Sequence, residues 1–292
     1  MKIAILGPGQ KAMGYTTKRL IEEAKKVFKK VDTVPLIDIK LKIDKEIDAI
    51  YNKKSISEWD YALLKIDSKR SNIGYPIVKF LEDMGVKKQY PAETVILAHN
   101  KFLTLEQLSR NGIPVPKTYM TGSKRSAKEI IARQKLPTIM KLLGGFGGQG
   151  VIFLESREAA NTVAETMKTL KQEILIEEYI ENPGEDIRGI VAGEEVIASY
   201  KRIAAKGEKR ANIHAGGRAE AFKLTDEMQE IVLKSANAMK MDMGAVDMLQ
   251  NRKGDIYVTE VNINPGIQAI EKVTNLNVAQ RMIEYVKTQI KR

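Results

Sequence analysis

The chain has 292 residues, of which 43% are hydrophobic and 29% are charged, a balance typical of a globular protein and not of a disordered one. It contains no cysteine, which excludes disulfides, thiolate metal sites and a cysteine nucleophile. Because its two histidines are His99 and His214, a three-histidine zinc site is impossible. The 48 basic and 37 acidic residues give a net charge of +11, which attracts anions without identifying them.

The first 93 residues are predicted to form a small α/β unit. Its predicted elements, in chain order, are the strand Lys2–Leu6, the helix Tyr15–Lys29, the strands Val31–Ile37 and Tyr61–Ile66, and the helix Gly74–Met84. Gly7, Gly9 and Gly14 follow the first strand, but their G-x-G-x-x-x-x-G spacing encloses a proline and does not fit a dinucleotide fingerprint. We interpret them as a turn from strand to helix that can face a substrate.

A glycine-rich loop follows in residues 94–186, after a predicted helix at Lys101–Arg110 and before another at Arg157–Leu170. Residues 140–154 read MKLLGGFGGQGVIFL, with five glycines between two strand-like runs. The N–H groups of such a loop can wrap phosphates, and Lys141 supplies a positive charge at its mouth. It is not a Walker loop, because no Gly-Lys-Ser/Thr follows and a strand comes next. A glycine-rich hairpin without special function is the alternative.

The next segment, residues 174–188, reads ILIEEYIENPGEDIR. Its first part, Ile174–Ile180, is predicted to be a strand whose backbone can pair with an adenine edge. Glu185 and Asp186 offer carboxylates for ribose hydroxyls, and Arg188 can bind a carboxylate or phosphate in a bidentate manner. Each of these charges, taken singly, also suits an ordinary surface.

A basic segment, residues 199–217, reads SYKRIAAKGEKRANIHAGG and places five lysines and arginines just before Asn212 and His214. A solvated basic loop is one interpretation. The position between a phosphate-binding loop and an acidic hairpin favours an anion clamp.

The acidic hairpin is predicted from residues 245–266, AVDMLQNRKGDIYVTEVNINPG. Its predicted parts are the strand Val246–Leu249, the turn Asn251–Asp255 and the strand Ile256–Val261. Antiparallel pairing brings Asp247 close to Glu260 and Asn262. Two carboxylates and a carboxamide suit Mg²⁺, although a polar strand edge with solvated acids is the alternative. A closing helix is predicted at Val278–Lys291.

Taken in order, Lys141 with the glycine loop, EEYI, GEDIR, KRANIHAGG, AVDML and TEVNINPG resemble the ATP-grasp superfamily and, within it, the RimK-type α-L-glutamate ligases. GEDIR, then RANIHAGG, then EVN-x-NPG is specific to that branch. Residues 100–119 resemble the family's entry helix, whose nucleotide-binding lysine corresponds to Lys101. The resemblance implies an α/β ATP-grasp fold with an N-terminal pre-ATP-grasp domain (1–93), a central ATP-grasp subdomain (94–186) and a C-terminal subdomain with the metal site (187–292).

The resemblance also implies roles for individual residues. Catalytic roles, holding the transferred phosphoryl group, fall to Arg202 and Arg210. ATP-binding roles fall to Lys101, Lys141, Gly145, Gly147, Gly148, Glu178, Tyr179, Ile180, Glu185, Asp186, Arg210 and Asn212. Substrate-binding roles fall to Arg188, His214, Gly216 and Gly217. Metal-binding roles fall to Asp247, Glu260 and Asn262, with two Mg²⁺ ions expected and Mn²⁺ as an alternative.

The implied activity is an ATP-dependent addition of L-glutamate to an acceptor carboxylate, through an acyl phosphate, with ADP and phosphate as products. The acceptor is then a protein tail or a small coenzyme. We expect a cytoplasmic protein, since no apolar run approaches a membrane span and no signal-peptide pattern begins the chain. We also expect a homo-oligomer. The alternative is a ribosome- or RNA-associated ATP-binding protein without ligase turnover, for which net charge is the sole support.

Overall fold

The computed structural model describes residues 1–9, 13–45, 47–142, 150–169, 172–205 and 217–291. Its N-terminal part is an α/β unit, as predicted. The elements, in chain order, are β1 (Lys2–Gly7), α1 (Tyr15–Val27), β2 (Lys30–Pro35), β3 (Lys40–Ile43), β4 (Ile47–Tyr51), β5 (Lys54–Ser55), β6 (Tyr61–Leu64), α2 (Ser71–Asp83) and β7 (Lys87–Lys88). Parallel pairing gives a four-stranded sheet of order β2-β1-β6-β7, beside a small antiparallel sheet β3-β4-β5.

The N-terminal predictions differ from the structure mainly at element ends. The second strand ends at Pro35 because residues Leu36–Asp38 form a 3₁₀ turn. The small sheet was not predicted, because its strands are two to five residues long and Ile43 and Ile47 are exposed, so a core-facing pattern is weak.

Two helices lead into the central part, α3 (Ala92–His99) and α4 (Lys101–Arg110). The helix α4 begins where the sequence predicts because Asn100 caps it. The Asn100 Oδ1 atom accepts hydrogen bonds from the backbone N–H groups of Phe102 and Leu103, both at 3.1 Å. This cap fixes Lys101 at the first position of the helix.

The central part is a four-stranded antiparallel sheet of order β10-β9-β11-β8 with two helices. Its elements are β8 (Thr118–Thr121), α5 (Lys124–Arg133), β9 (Thr138–Lys141), β10 (Val151–Leu154), α6 (Arg157–Thr169) and β11 (Ile174–Glu178). The predicted strands on either side of the glycine loop are therefore present and antiparallel.

The C-terminal part is built on a five-stranded antiparallel sheet of order β14-β13-β12-β15-β16. Its elements are β12 (Glu185–Ala192), β13 (Glu195–Ile203), β14 (Arg218–Ala221), α7 (Asp226–Ala238), β15 (Met243–Gln250), β16 (Ile256–Asn262), α8 (Gln268–Thr274) and α9 (Val278–Lys291). The predicted hairpin and closing helix are both present.

The interior is divided unequally among these parts. One apolar cluster joins Ala4 and Leu6 of β1 to Val232 of α7, on one side of the N-terminal four-stranded sheet and the C-terminal five-stranded sheet. A second joins Ile3 of β1 to Val286 of α9, on the other side. The central sheet has a separate small core with α5 and α6. The N-terminal and C-terminal parts therefore share an interior, whereas the central part is packed on its own.

None of the helices in the described ranges is long and apolar enough to cross a membrane.

Candidate active site

The predicted hairpin forms with the expected register. Asp247 of β15 pairs with Glu260 of β16, and Ala245 pairs with Asn262. Between Asp247 and Met248 the register shifts by one residue, a bulge that re-aims side chains along the strand. Asp247, Glu260 and Asn262 thus lie at one end of the hairpin, as the sequence predicts.

Asp247 is the centre of a buried ion cluster that we call the arginine cluster, formed by Asp186, Arg188, Arg202 and Asp247. The Arg188 guanidinium donates to both Asp247 carboxylate oxygens, from Nε at 2.5 Å and from Nη2 at 2.6 Å. Arg202 Nη2 donates to the same carboxylate at 3.0 Å and to Asp186 at 2.7 Å.

The strand order explains this clustering. The strand β12 lies between β13 and β15, so Asp186 pairs with Arg202 on one side and Arg188 pairs with Asp247 on the other. Two cations and two anions make the cluster electrically neutral, as buried charges require. Burial by itself raises the pKa of Asp247, but Arg188 and Arg202 outweigh it and lower the pKa to about 2. The carboxylate is therefore ionised at neutral pH.

The other two predicted metal ligands have a different environment. Glu260 and Asn262 are half-buried, and in the described part of the chain neither side chain has a hydrogen bond or an ion pair. Within that part, no three His, Cys, Asp or Glu side chains lie close enough to hold a metal ion. The oxygen donors are instead mixed: a carboxylate and a carboxamide without a hydrogen bond or ion pair among the described residues lie beside the paired carboxylate of Asp247. Such oxygen donors suit Mg²⁺, which keeps several ligands from water or substrate.

Two lysines complete the charged part of the site. Lys141 Nζ lies 2.6 Å from Glu177 Oε1, and Glu177 is buried with its Oε2 atom unpartnered among the described residues. Burial lowers the pKa of Lys101, the nearby carboxylates of Glu260 and Glu177 oppose this, and Lys141 adds to it. Lys101 is thus within electrostatic range of Lys141 and Glu177 in the central sheet and of Glu260 in the hairpin.

The predicted adenine-binding strand ends two residues earlier than expected, at Glu178. The Glu178 N–H donates to the Lys117 carbonyl at 2.9 Å, and its carboxylate accepts from the Lys117 N–H at 2.8 Å. The next two predicted residues line the same region, since Tyr179 meets Phe153 edge-on at 6.1 Å and Ile180 is buried. Glu178 therefore supports the strand edge with its N–H and its carboxylate.

Other predicted residues lie at the rim or outside the described residues. Glu185 forms an ion pair with Lys201 at 2.9 Å. Gly217 immediately precedes β14. The predictions on Gly145, Gly147, Gly148, Arg210, Asn212, His214 and Gly216 lie outside the described residues.

The sequence interpretation missed Glu177. This residue is buried in β11 and accepts a hydrogen bond from the Lys141 ammonium on the adjacent strand. The sequence signal for it is the pair of adjacent glutamates at the end of an otherwise apolar strand. Because successive side chains of a strand point to opposite faces of the sheet, one of the two glutamates must face inwards.

Comparison with known proteins identifies the family. Residues 98–286 match the RimK-like ATP-grasp domain, and residues 1–95 match the RimK PreATP-grasp domain. A probable alpha-L-glutamate ligase of Aliivibrio fischeri (strain MJ11) is 34% identical over 290 residues, which cover 98% of this chain and 95% of the relative. A probable alpha-L-glutamate ligase of Rhodopirellula baltica is 33% identical over 295 residues, 99% of this chain and 72% of the relative.

The fold is shared with solved structures of lower identity. The ATP-grasp ligase PsnB, in complex with a minimal precursor, Mg and ADP, superposes with a TM-score of 0.77 at 16% identity, over 99% of this chain and 98% of that one. The architecture is therefore an ATP-grasp fold with an N-terminal pre-ATP-grasp domain. The chain belongs to the RimK family of ATP-grasp proteins. The predicted enzyme class, an ATP-dependent ligase, is confirmed at this level, since the curated relatives are named ligases.

Proposed function

We propose that the chain joins L-glutamate to the carboxylate of an acceptor at the expense of ATP, forming ADP and phosphate. The observation that carries this proposal is the contrast at the hairpin end, where free oxygen donors on Glu260 and Asn262 adjoin two buried, paired arginines. Such a site can neutralise phosphates and a carboxylate together. The names of the curated relatives support glutamate as the amine substrate.

The nucleotide would lie between residues 94–186 and residues 187–292, with residues 1–93 as a substrate-facing domain that packs against residues 187–292. Tyr179 and Ile180 would contact the adenine, and Glu185 the ribose. Lys101 and Lys141 would neutralise the phosphates together with the glycine loop. The nearness of Lys101 to Glu260 supports this arrangement, because it joins the two sides of the proposed cleft.

Glu260 and Asn262 fit the role of Mg²⁺ ligands, with Mn²⁺ as an alternative and two ions in the complete site. A bound Mg²⁺ supplies charge neutralisation at the β- and γ-phosphates. Asp247 keeps only one of its roughly four acceptor positions for a ligand, because Oδ2 accepts two hydrogen bonds and Oδ1 one. Its main task is to hold the arginines in place.

Both arginines are fixed through Nε and Nη2, and within the described residues neither Nη1 group has a hydrogen bond. These Nη1 groups of Arg188 and Arg202 are available donors for a carboxylate or a phosphoryl group. Because the guanidinium groups are held before substrate arrives, little reorganisation is needed when negative charge develops.

The reaction proceeds in two steps. An oxygen of the acceptor carboxylate attacks the γ-phosphorus of ATP and displaces ADP, giving an acyl phosphate. The glutamate amine then attacks the acyl carbon, and the tetrahedral intermediate expels phosphate and loses a proton. Neither step needs a protein nucleophile, in agreement with the absence of cysteine from the sequence.

The acceptor is proposed to be a protein tail or a small coenzyme, and the reaction to occur in the cytoplasm, where ATP and L-glutamate are both available. Homo-oligomer formation stays a prediction.

The proposal is tested by incubating the protein with ATP, Mg²⁺, L-glutamate and a tetraglutamate peptide, with nucleotide and mass analysis of the products. We expect ADP and a peptide heavier by one glutamyl residue. The Glu260→Gln variant should form both products about two to three decades more slowly, whereas Glu195→Gln, an exposed glutamate on the same sheet, should be as active as the wild type. Equal activity of Glu260→Gln and the wild type would reject the proposed metal site.

A further inference from the structure

The N-terminal sheet has a topological switch point outside the site described so far, at the carboxyl ends of β1 and β6, and we call this place the crevice. The strands β1 and β6 are parallel neighbours, and the chain leaves β1 towards β2 on the opposite side. In open α/β sheets, ligands bind at the carboxyl ends of strands at such a change of direction. Gly7 ends β1 and Lys65 directly follows β6, where the Lys65 N–H donates to the Leu6 carbonyl at 2.7 Å.

Lys65 has an unusual environment for a lysine. The residue is 7% exposed, and in the described part of the chain its ammonium has neither a hydrogen bond nor an ion pair. Burial lowers its pKa to about 7. Its stem runs against Gly7, where a Cβ atom would lie 3.0 Å from the Lys65 Cβ. Since a largely buried lysine without an ion pair is costly, an anionic ligand explains this lysine better than the fold does.

Two contacts join this crevice to the candidate active site. The backbone N–H of Ile267, which follows the hairpin by five residues, donates to Thr16 Oγ1 of α1 at 3.1 Å. On the other side, the His99 imidazole hydrogen-bonds to the backbone of Ile66, the residue after Lys65. Lys101, two residues after His99, lies within electrostatic range of Glu260.

The space between these elements is open. Among the described residues, a Cβ atom added at Gly14 or at Gly266 would meet no atom within 4 Å. These glycines precede α1 and follow the hairpin, so they border the crevice on the side of the metal-binding end. The backbone at both glycines is therefore open to a substrate that lies beside α1 and the hairpin.

We propose that this crevice receives the carboxyl-terminal glutamate of the acceptor and that Lys65 binds its side-chain carboxylate. The assignment rests on the proposed function, in which an acceptor carboxylate is phosphorylated beside the hairpin. When the main-chain carboxylate is activated there, the side-chain carboxylate stays charged and needs a cation within reach. Lys65 is then a specificity-determining residue that favours acceptors ending in a dicarboxylic residue.

The test is calorimetric binding of tetraglutamate to the protein loaded with Mg²⁺ and ADP. Lys65→Met should weaken binding at least tenfold, and Lys65→Arg should stay within a few-fold of the wild type. The matched control is Lys88→Met, a half-buried lysine on β7 of the same sheet, which should bind normally. A peptide with glutamine as its last residue should bind the wild type and Lys65→Met equally weakly, because the partner of Lys65 is absent.

The same experiment separates this inference from the proposed function. Binding needs no turnover, so a Lys65-dependent complex that forms no ligated product would count against the proposed function alone. Glutamate ligation that Lys65→Met leaves unchanged, or absence of tetraglutamate binding to the wild type, would overturn the inference. The melting temperature of Lys65→Met should be no lower than that of the wild type. A lower melting temperature would show that Lys65 stabilises the fold and would also overturn the inference.

Discussion

The arginine cluster and the hairpin end are adjacent on one sheet, but their polar side chains differ in whether they have partners. In the arginine cluster, each buried charge has a partner of opposite sign on the next strand. On β16, one strand further, Glu260 and Asn262 are half-buried without a partner among the described residues. The first arrangement stabilises the sheet and orients donors, whereas the second leaves ligand positions open.

Because of this difference, we expect substitutions on neighbouring strands to affect either the stability of the fold or the function. Removing a member of the arginine cluster leaves a buried charge unpaired, which destabilises the fold. Removing an unpartnered group costs the fold little and removes a contact that forms with the ligand. Lys65, which is also buried and unpartnered among the described residues, belongs with the second group.

The largest expected effect is that of Asp247→Asn, which leaves Arg188 and Arg202 without their shared carboxylate. The free energy of unfolding should fall by about 3–5 kcal/mol, as for other broken buried ion pairs. Chemical denaturation followed by circular dichroism measures this change. The double variant Arg188→Met/Asp247→Leu keeps the cluster neutral, so it should recover most of the stability but not the turnover. Equal stability of Asp247→Asn and the wild type would contradict the structural role of the cluster.

The second-largest expected effect is a loss of turnover without a loss of stability. Glu260→Gln should lower kcat by about two to three decades, the typical loss when one charge-stabilising contact is removed. Its denaturation curve should lie close to that of the wild type, because the carboxylate has no hydrogen bond or ion pair to lose among the described residues. Direct titration with Mn²⁺ in the presence of ADP, followed by electron paramagnetic resonance, should show weaker metal binding. Wild-type Mn²⁺ affinity in this variant would exclude Glu260 as a ligand.

The third effect is a pH dependence of stability at Lys65. Its pKa falls from 10.5 to about 7 on folding, so the unfolded chain binds more protons between these values. The stability of the wild type relative to Lys65→Met should therefore rise as the pH is raised from 7 to 10.5, with the largest deficit at and below pH 7. Since one pKa unit corresponds to about 1.4 kcal/mol, a change of a few kcal/mol is expected. Parallel pH curves for the two proteins would show that the ammonium is solvated.

The smallest effect is expected at the rim. Glu185 is partly exposed and pairs with Lys201, and such ion pairs contribute about 0–1 kcal/mol. Glu185→Gln should therefore leave the melting temperature nearly unchanged. If its carboxylate binds the ribose, the KM for ATP should rise several-fold, whereas the KM for glutamate should not change. An unchanged KM for ATP would remove Glu185 from the nucleotide site.

The sequence predicts the hairpin and its register well, because the turn residues and the alternation of apolar residues are both local signals. It also predicts α4 at its observed limits, since Asn100 is a strong capping residue. The pairing of Asp247 with Arg188 and Arg202 was not predicted. That contact depends on β12 lying between β13 and β15, a property of the strand order that no local pattern contains.

The same limit applies to Glu177 and Lys65. Each lies in or just after an apolar strand, and its importance depends on what lies on the neighbouring strand or at the sheet edge. Burial of a charged side chain is the decisive observation, and it follows from packing between distant parts of the chain. Motifs identified the chemistry, whereas packing identified which charges are paired.

The central claim is that the acceptor carboxylate becomes an acyl phosphate, and isotope transfer tests it most directly. A tetraglutamate peptide with ¹⁸O in its terminal main-chain carboxylate is incubated with ATP, Mg²⁺, L-glutamate and the protein, and the released phosphate is examined by ³¹P NMR. The account predicts one ¹⁸O atom in each inorganic phosphate released, together with ADP. Labelled AMP, or unlabelled phosphate accompanying peptide elongation, would contradict it.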